Sequence, residues 1–94
     1  MAFALLLTFQ AQEVLDGIRD PKRHRRIENA LAKLAENPRH PGLHSHRFEA
    51  LDGLFEAQVW ESYVENRAPQ AWRLWWVYGP LEGTITVVTI GPHA

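Results

Sequence analysis

Arg73 lies inside Ala71-Trp72-Arg73-Leu74-Trp75-Trp76-Val77-Tyr78, the most aromatic stretch of the chain, and His93 closes the next apolar run. Arginine stays protonated and is seldom fully buried without a partner, so Arg73 either pairs with a carboxylate (Glu56, Glu61 or Glu65) or faces a site that receives an anion. A second group of reactive side chains sits in Arg39-His40-Pro41-Gly42-Leu43-His44-Ser45-His46-Arg47. In an extended segment His44 and His46 project to the same side, as two metal ligands would, but no third ligand is fixed by spacing, so no metal and no cofactor are expected. The third group is Lys22-Arg23-His24-Arg25-Arg26, the one dense basic cluster. It suits contacts to phosphates and equally suits a solvated helix face.

The elements that must position these residues can be read from periodicity. Ala2 to Phe9 is a short apolar run expected to form a buried strand; it lacks a basic leader and falls far short of the roughly 20 residues that a membrane span needs. Ala11, Val14, Leu15 and Ile18 then recur at helical spacing until Gly17 and Asp20-Pro21 interrupt. Asp20 followed by Pro21 is a helix start, and Ile27, Ala30, Leu31, Leu34 and Ala35 form one apolar stripe up to Asn37-Pro38. Residues 39–47 read as a loop rich in proline, glycine and histidine. Three strands follow, about Phe55 to Val64, Ala71 to Tyr78 and Thr84 to Ile90, with turns at Asn66-Arg67-Ala68-Pro69 and Gly79-Pro80-Leu81-Glu82-Gly83. Apolar side chains on both faces make Ala71 to Tyr78 a central strand. Trp60 is expected to be the most exposed tryptophan.

The expected fold is therefore α+β: two N-terminal helices packed on a four-stranded, mainly antiparallel sheet, in one domain over residues 1–94. A chain of 94 residues can bury one core without staples, and it contains no cysteine, which suits a reducing cytoplasm. Its formal net charge of −1 excludes the broad basic field of a protein that grips nucleic acid all over its surface, so any such grip must be local.

The order of elements resembles the RelE/ParE toxin superfamily, and the likeness covers nearly the whole chain. It is carried by Ala30-Leu31-Ala32-Lys33-Leu34-Ala35-Glu36-Asn37-Pro38, Pro41-Gly42-Leu43, Trp72-Arg73-Leu74-Trp75-Trp76 and Ile90-Gly91-Pro92-His93. The resemblance implies the toxin of a bacterial type II toxin–antitoxin pair that cleaves mRNA in the ribosome without a metal, the RNA supplying its own 2′-hydroxyl nucleophile. Such a step needs a base, a cation for the charge that builds on phosphorus, and an acid for the leaving oxygen. By that resemblance Arg73, His93 and His46 are the catalytic candidates, and Arg47, Lys22, Arg23 and Arg26 are the RNA-binding ones. Alanine, Ala94, stands where the family has a tyrosine beside the histidine, and the stretch from Gly53 to Arg73 is longer than in compact members. The implied partners are a cognate antitoxin, the ribosome and mRNA, with no membrane, and a homodimer or a heterotetramer with the antitoxin as assembly. The other function open to the same fold is a non-catalytic binding module, either a ParE-like gyrase inhibitor or a degenerate toxin that only binds its antitoxin.

Overall fold

The computed structural model describes residues 2–66 and 68–93, so Arg67 of the second predicted turn and Ala94 lie outside the described residues. The elements run β1 (Ala4–Leu7), α1 (Phe9–Gly17), α2 (Pro21–Glu36), β2 (His46–Arg47), α3 (Asp52–Phe55), β3 (Trp60–Tyr63), β4 (Trp72–Tyr78) and β5 (Thr84–Pro92). Short 3-10 turns at Pro41–Leu43 and Glu49–Leu51 join them. The strands form one sheet in the order β1-β5-β4-β3-β2, in which only the β1–β5 pair is parallel among these ladders.

Side-chain chemistry sets the helix starts. The Thr8 hydroxyl accepts the Ala11 N–H at 3.1 Å to cap α1 and donates to the Val88 carbonyl at 2.8 Å, fixing the helix to β5. Asp20 caps α2 by accepting the Lys22 N–H at 2.9 Å, with Pro21 in the first turn where its missing N–H costs nothing. The expected stripe of α2 is the buried one: Ile27, Ala30 and Leu34 pack with Ala11 on Leu74, Trp76, Ile85, Val87 and Ile90. Burying each large aliphatic side chain there contributes about 1.5–3 kcal/mol.

Three expectations are corrected. The sheet has five strands rather than four, because His46 and Arg47 pair with Glu61 and Trp60 as an added edge strand, β2. The segment expected as one strand from Phe55 to Val64 is divided: Asp52–Phe55 is helical, and pairing begins only at Trp60. Trp60 is half-buried rather than exposed, because its ring stacks on Trp76 at 5.9 Å and 17°. The divided segment has a structural purpose. Residues 48–55 fold over the sheet face opposite α1 and α2, where Phe48, Leu51 and Phe55 meet Val59, Trp75, Val77 and Val88 in a second, smaller core. Val88 reaches that core through an irregularity in the β4–β5 ladder, where Trp75 pairs with Thr89 but Trp76 with Val87.

One carboxylate joins α2 to the end of the sheet. Glu65 accepts from Arg23 Nε at 3.0 Å, from Arg26 Nη1 at 3.4 Å and from the Trp72 N–H at 3.2 Å, while the Arg23 guanidinium lies 5.0 Å from the Trp72 ring centroid. Burial alone would raise the Glu65 carboxyl, but the hydrogen bonds from Arg23, Trp72 and Arg26 together outweigh it and hold the group below its ordinary range. A depressed folded-state value means that this stabilisation is present above the unfolded carboxyl's titration and is lost as pH falls through the folded one. Glu65→Gln is therefore expected to lower stability at pH 7 by on the order of 1–2 kcal/mol, with the gap to wild type closing below about pH 4. Melting curves from pH 3 to 7 check this, and a gap that stays constant with pH would refute it.

Candidate functional site

The register of three strands assembles the site. In an antiparallel ladder, directly opposed residues put their side chains on the same face. Tyr63 opposes Arg73, Glu61 opposes Trp75, and His46 opposes Glu61, so Arg73, Tyr63, Glu61 and His46 form one patch on the face away from α1 and α2. Gly91 opposes Arg73 from the other side and leaves the arginine unshielded by a side chain there.

Arg73 is 9% exposed and Glu61 only 2%. The Arg73 guanidinium lies 3.7 Å from the Tyr63 ring centroid, its Nη1 donates to the carbonyls of Glu65 and Trp72, and its Nε stands 4.0 Å from Glu61 Oε1. That last distance is an ion pair without a hydrogen bond, and both Arg73 Nε and Glu61 Oε2 are buried with no partner among the described residues. The stronger partner of Glu61 is His46, whose Nε2 approaches Oε1 at 2.9 Å while its Nδ1 lies 2.8 Å from the His44 carbonyl. A carbonyl only accepts, so in that contact Nδ1 carries the hydrogen, and Nε2 faces the carboxylate. The imidazole is 48% exposed on its side chain, so it stands at the boundary between a buried carboxylate and solvent.

The loop before β2 is held by polar groups. The Trp76 indole N–H donates to Ser62 Oγ at 2.8 Å, and Ser45 Oγ donates to the Pro38 carbonyl at 2.8 Å. Ser62 must therefore donate across the 2.7 Å contact to Ser45 Oγ, which completes the chain of bonds. His44 takes a left-handed conformation, φ 48°, and its ring packs on Tyr63 at 4.9 Å. The two imidazoles of His44 and His46 and the Arg73 guanidinium thus all meet the Tyr63 ring.

The other residues singled out in the sequence are placed differently. Arg47 is engaged within the protein: it pairs with Asp52, donates to the Val59 carbonyl at 3.3 Å and lies 5.7 Å from the Trp60 ring centroid. Asp52 also accepts the Val59 N–H at 2.7 Å, and that bond first, with Arg47, holds its carboxyl below the usual range against the opposing effect of desolvation. Arg23 and Arg26 serve Glu65, although Arg26 stays exposed, which leaves Lys22 the member of that set with no ion-pair partner among the described residues. His93 lies on the same sheet face as Arg73 by alternation from Gly91, is exposed, and bonds through its backbone N–H to the Ala71 carbonyl at 2.8 Å. Among the described residues no hydrogen bond or ion pair joins its ring to Arg73. The structure thus brings His46 and Arg73 to one carboxylate and leaves His93 across β4 and β5 from them. Among the described residues no group of three or more histidines or carboxylates is arranged to hold a metal, and no helix is long and apolar enough to cross a membrane.

Glu61 and Tyr63 are the members that sequence reasoning did not assign to a site. Their signal was present: two polar residues two apart in a strand otherwise flanked by apolar positions share a face, and that face is the one bearing Arg73.

This architecture matches a solved structure, an archaeal RelE–RelB complex from Pyrococcus horikoshii OT3, with a TM-score of 0.68 over 98% of this chain and 96% of that one, at 11% sequence identity. The chain has a RelE-like fold. Neither a family model nor a curated protein matches the sequence. Measured against the RelE-like frame, the added content is local: side chains, not topology, must decide what the open face does.

If Glu61 and Arg73 neutralise each other inside the protein, removing one leaves the other buried and uncompensated, whereas replacing both by apolar side chains is nearly neutral. Glu61→Leu is expected to cost about 2–4 kcal/mol, roughly 10–20 °C in Tm for a chain of this size. Glu61→Leu with Arg73→Met should recover more than half of that loss. A thermal double-mutant cycle showing simple additivity would refute the pairing.

Proposed function

We propose that this chain is the toxin of a type II toxin–antitoxin pair and that it cleaves ribosome-bound mRNA by transesterification. The observation that carries the reading is the patch of Arg73, Glu61 and His46 on the open face of a RelE-like sheet, with His93 on the far side of Arg73. In-line displacement at phosphorus wants proton-transfer groups on opposite sides of a cation. His46 and His93 flank Arg73 across the sheet face, and Gly91 keeps the space over the arginine free of a side chain. In this reading Arg73 meets the scissile phosphate, and His46, its Nε2 2.9 Å from Glu61 Oε1, serves one oxygen. His93 serves the other. Lys22, with no ion-pair partner among the described residues, is the member of the predicted RNA-binding set free to meet RNA backbone, and Arg47, Arg23 and Arg26 would act only by exchanging their carboxylate partners. The solved neighbour is a RelE–RelB complex, which supports a small antitoxin protein as the partner of this chain too.

A second reading has its own observation. Arg23, Arg26, Arg47 and Arg73 all pair with carboxylates of the same chain, as a module that binds protein rather than RNA would allow. Expression in a bacterial host with primer extension on translated mRNA separates the two. The RNA reading expects growth arrest and new mRNA 5′ ends, with His46→Gln lowering their yield by about a hundredfold or more, the usual contribution of a positioned acid or base. Arrest with intact mRNA and accumulating gyrase cleavage complexes would overturn it in favour of the binding module.

A further inference from the structure

Outside the Arg73 patch, helix α2 carries a second group of polar side chains. Arg26, Asn29 and Lys33 follow one another at spacings of three and four, which puts them on one helix face. Together they line a small cavity of about 130 Å³, to which Gly42, Leu43 and Val64 also contribute. Among the described residues no carboxylate lines it. Nor does the protein balance the charge there. Arg23 and Arg26 share one carboxylate, Glu65, so that trio keeps one positive charge in excess, and Lys33 adds another with no ion-pair partner among the described residues. The Arg26 contact is the longer of the two, 3.4 Å against 3.0 Å, and its side chain stays 54% exposed. Gly42 leaves room beside the ammonium. Its φ lies outside the left-handed region, so the backbone there does not call for glycine, yet a Cβ would come within 3.5 Å of Lys33 Nζ.

We infer that this cavity binds a phosphate with three free oxygens, either inorganic phosphate or a terminal phosphomonoester. Such a site stands whether or not the chain cleaves RNA. The donor set selects the class. Arg26 offers a planar fork, Lys33 a compact charge and Asn29 a neutral amide, reaching in from three positions along the helix. Oxygens pointing in three directions can meet all of them, whereas the two oxygens of a carboxylate lie in one plane. A backbone phosphate of RNA has two of its oxygens in ester bonds, which leaves a donor unmatched. Charge makes the same choice: a monoester carries about −1.5 to −2 at neutral pH, close to the two excess cations, against about −1 for a backbone phosphate. The small volume admits the phosphoryl group and keeps whatever it is esterified to outside.

Melting curves in sodium phosphate at pH 7, against sodium chloride of equal ionic strength, test the site. Wild type should gain about 5–10 °C in Tm at a phosphate concentration ten times the dissociation constant. Lys33 is exposed, so Lys33→Gln should fold; it should weaken binding about tenfold, the worth of one charge-assisted hydrogen bond, and cut the gain to about a third. Lys33→Arg keeps the charge and should keep most of the gain. An equal gain in wild type and Lys33→Gln, or the same gain from chloride, would overturn the site. Uridine 5′-monophosphate and the diester UpU then decide the ligand class. The part of the gain that depends on Lys33 should appear with the monophosphate and be absent with UpU, and UpU as effective as phosphate would overturn the assignment to three free oxygens. A Lys33-dependent gain larger with the monophosphate than with phosphate identifies the ester as the source, and one no larger identifies the free ion.

Discussion

A carboxylate that is almost wholly buried beside an arginine that is almost wholly buried governs the open face of this sheet. Removing either charge from water costs several kcal/mol, and a contact at 4.0 Å without a hydrogen bond offsets only part of that. The remainder comes from the surroundings: the Tyr63 ring beneath the guanidinium, the Glu65 and Trp72 carbonyls on Nη1, and the His46 imidazole 2.9 Å from Glu61. These partners come from three consecutive strands, so the charge cluster also specifies register. A slip of one residue between β3 and β4 would turn Arg73 toward Leu34 and Ile27 in the main core, where nothing could compensate it.

The same face is divided between two uses. On one side, Phe48, Leu51 and Phe55 cover Trp75 and Val88, pinned by Asp52, which is bound at once to the Val59 backbone and to Arg47. On the other, the patch from His46 to Arg73 opens to solvent at His46, while Glu61 and Arg73 stay nearly buried. The pin uses Arg47 for architecture, as Glu65 uses Arg23 and Arg26. In a chain with ten lysines and arginines and a net charge of −1, four guanidinium groups, those of Arg23, Arg26, Arg47 and Arg73, are placed against carboxylates instead of adding to a surface field.

The long elements were legible because a repeated pattern had room to show itself. Asp20-Pro21 and the stripe Ile27, Ala30, Leu34 fix α2 from both propensity and periodicity, and the apolar runs of β4 and β5 leave little choice. The short elements were not legible. A two-residue strand such as β2 has no period, and its identity as a strand comes from what Glu61 and Trp60 offer it. In residues 52–59 the apolar positions Phe55, Ala57 and Val59 satisfy an alternating pattern, but a single helical turn that drops Phe55 onto the sheet satisfies the burial of that ring equally well. The site divides along the same line. Arg73 announced itself by its setting, and Glu61 was foreseeable as a partner by alternation. His46 meeting Glu61 depended on the unseen strand β2, and the left-handed turn at His44 that delivers it has no glycine to mark it.

Holding Arg73 so firmly has a chemical consequence. A surface arginine that closes on a phosphate must lose side-chain freedom and shed water at the moment of reaction. One already stacked on Tyr63 and bonded to two carbonyls has met those costs during folding. What it gives up is reach, so in the proposed function a phosphate would have to come to the sheet rather than be gathered from solution. That requirement fits the rest of the face, where the two groups able to move protons, His46 and His93, are exposed and flank a floor on which the arginine is fixed. It also explains why the absence of a side chain at position 91 matters more than the identity of most residues around it. With the cation immobile and 9% exposed, access is controlled by what stands around it, and the opposed residue, Gly91, adds no side chain there.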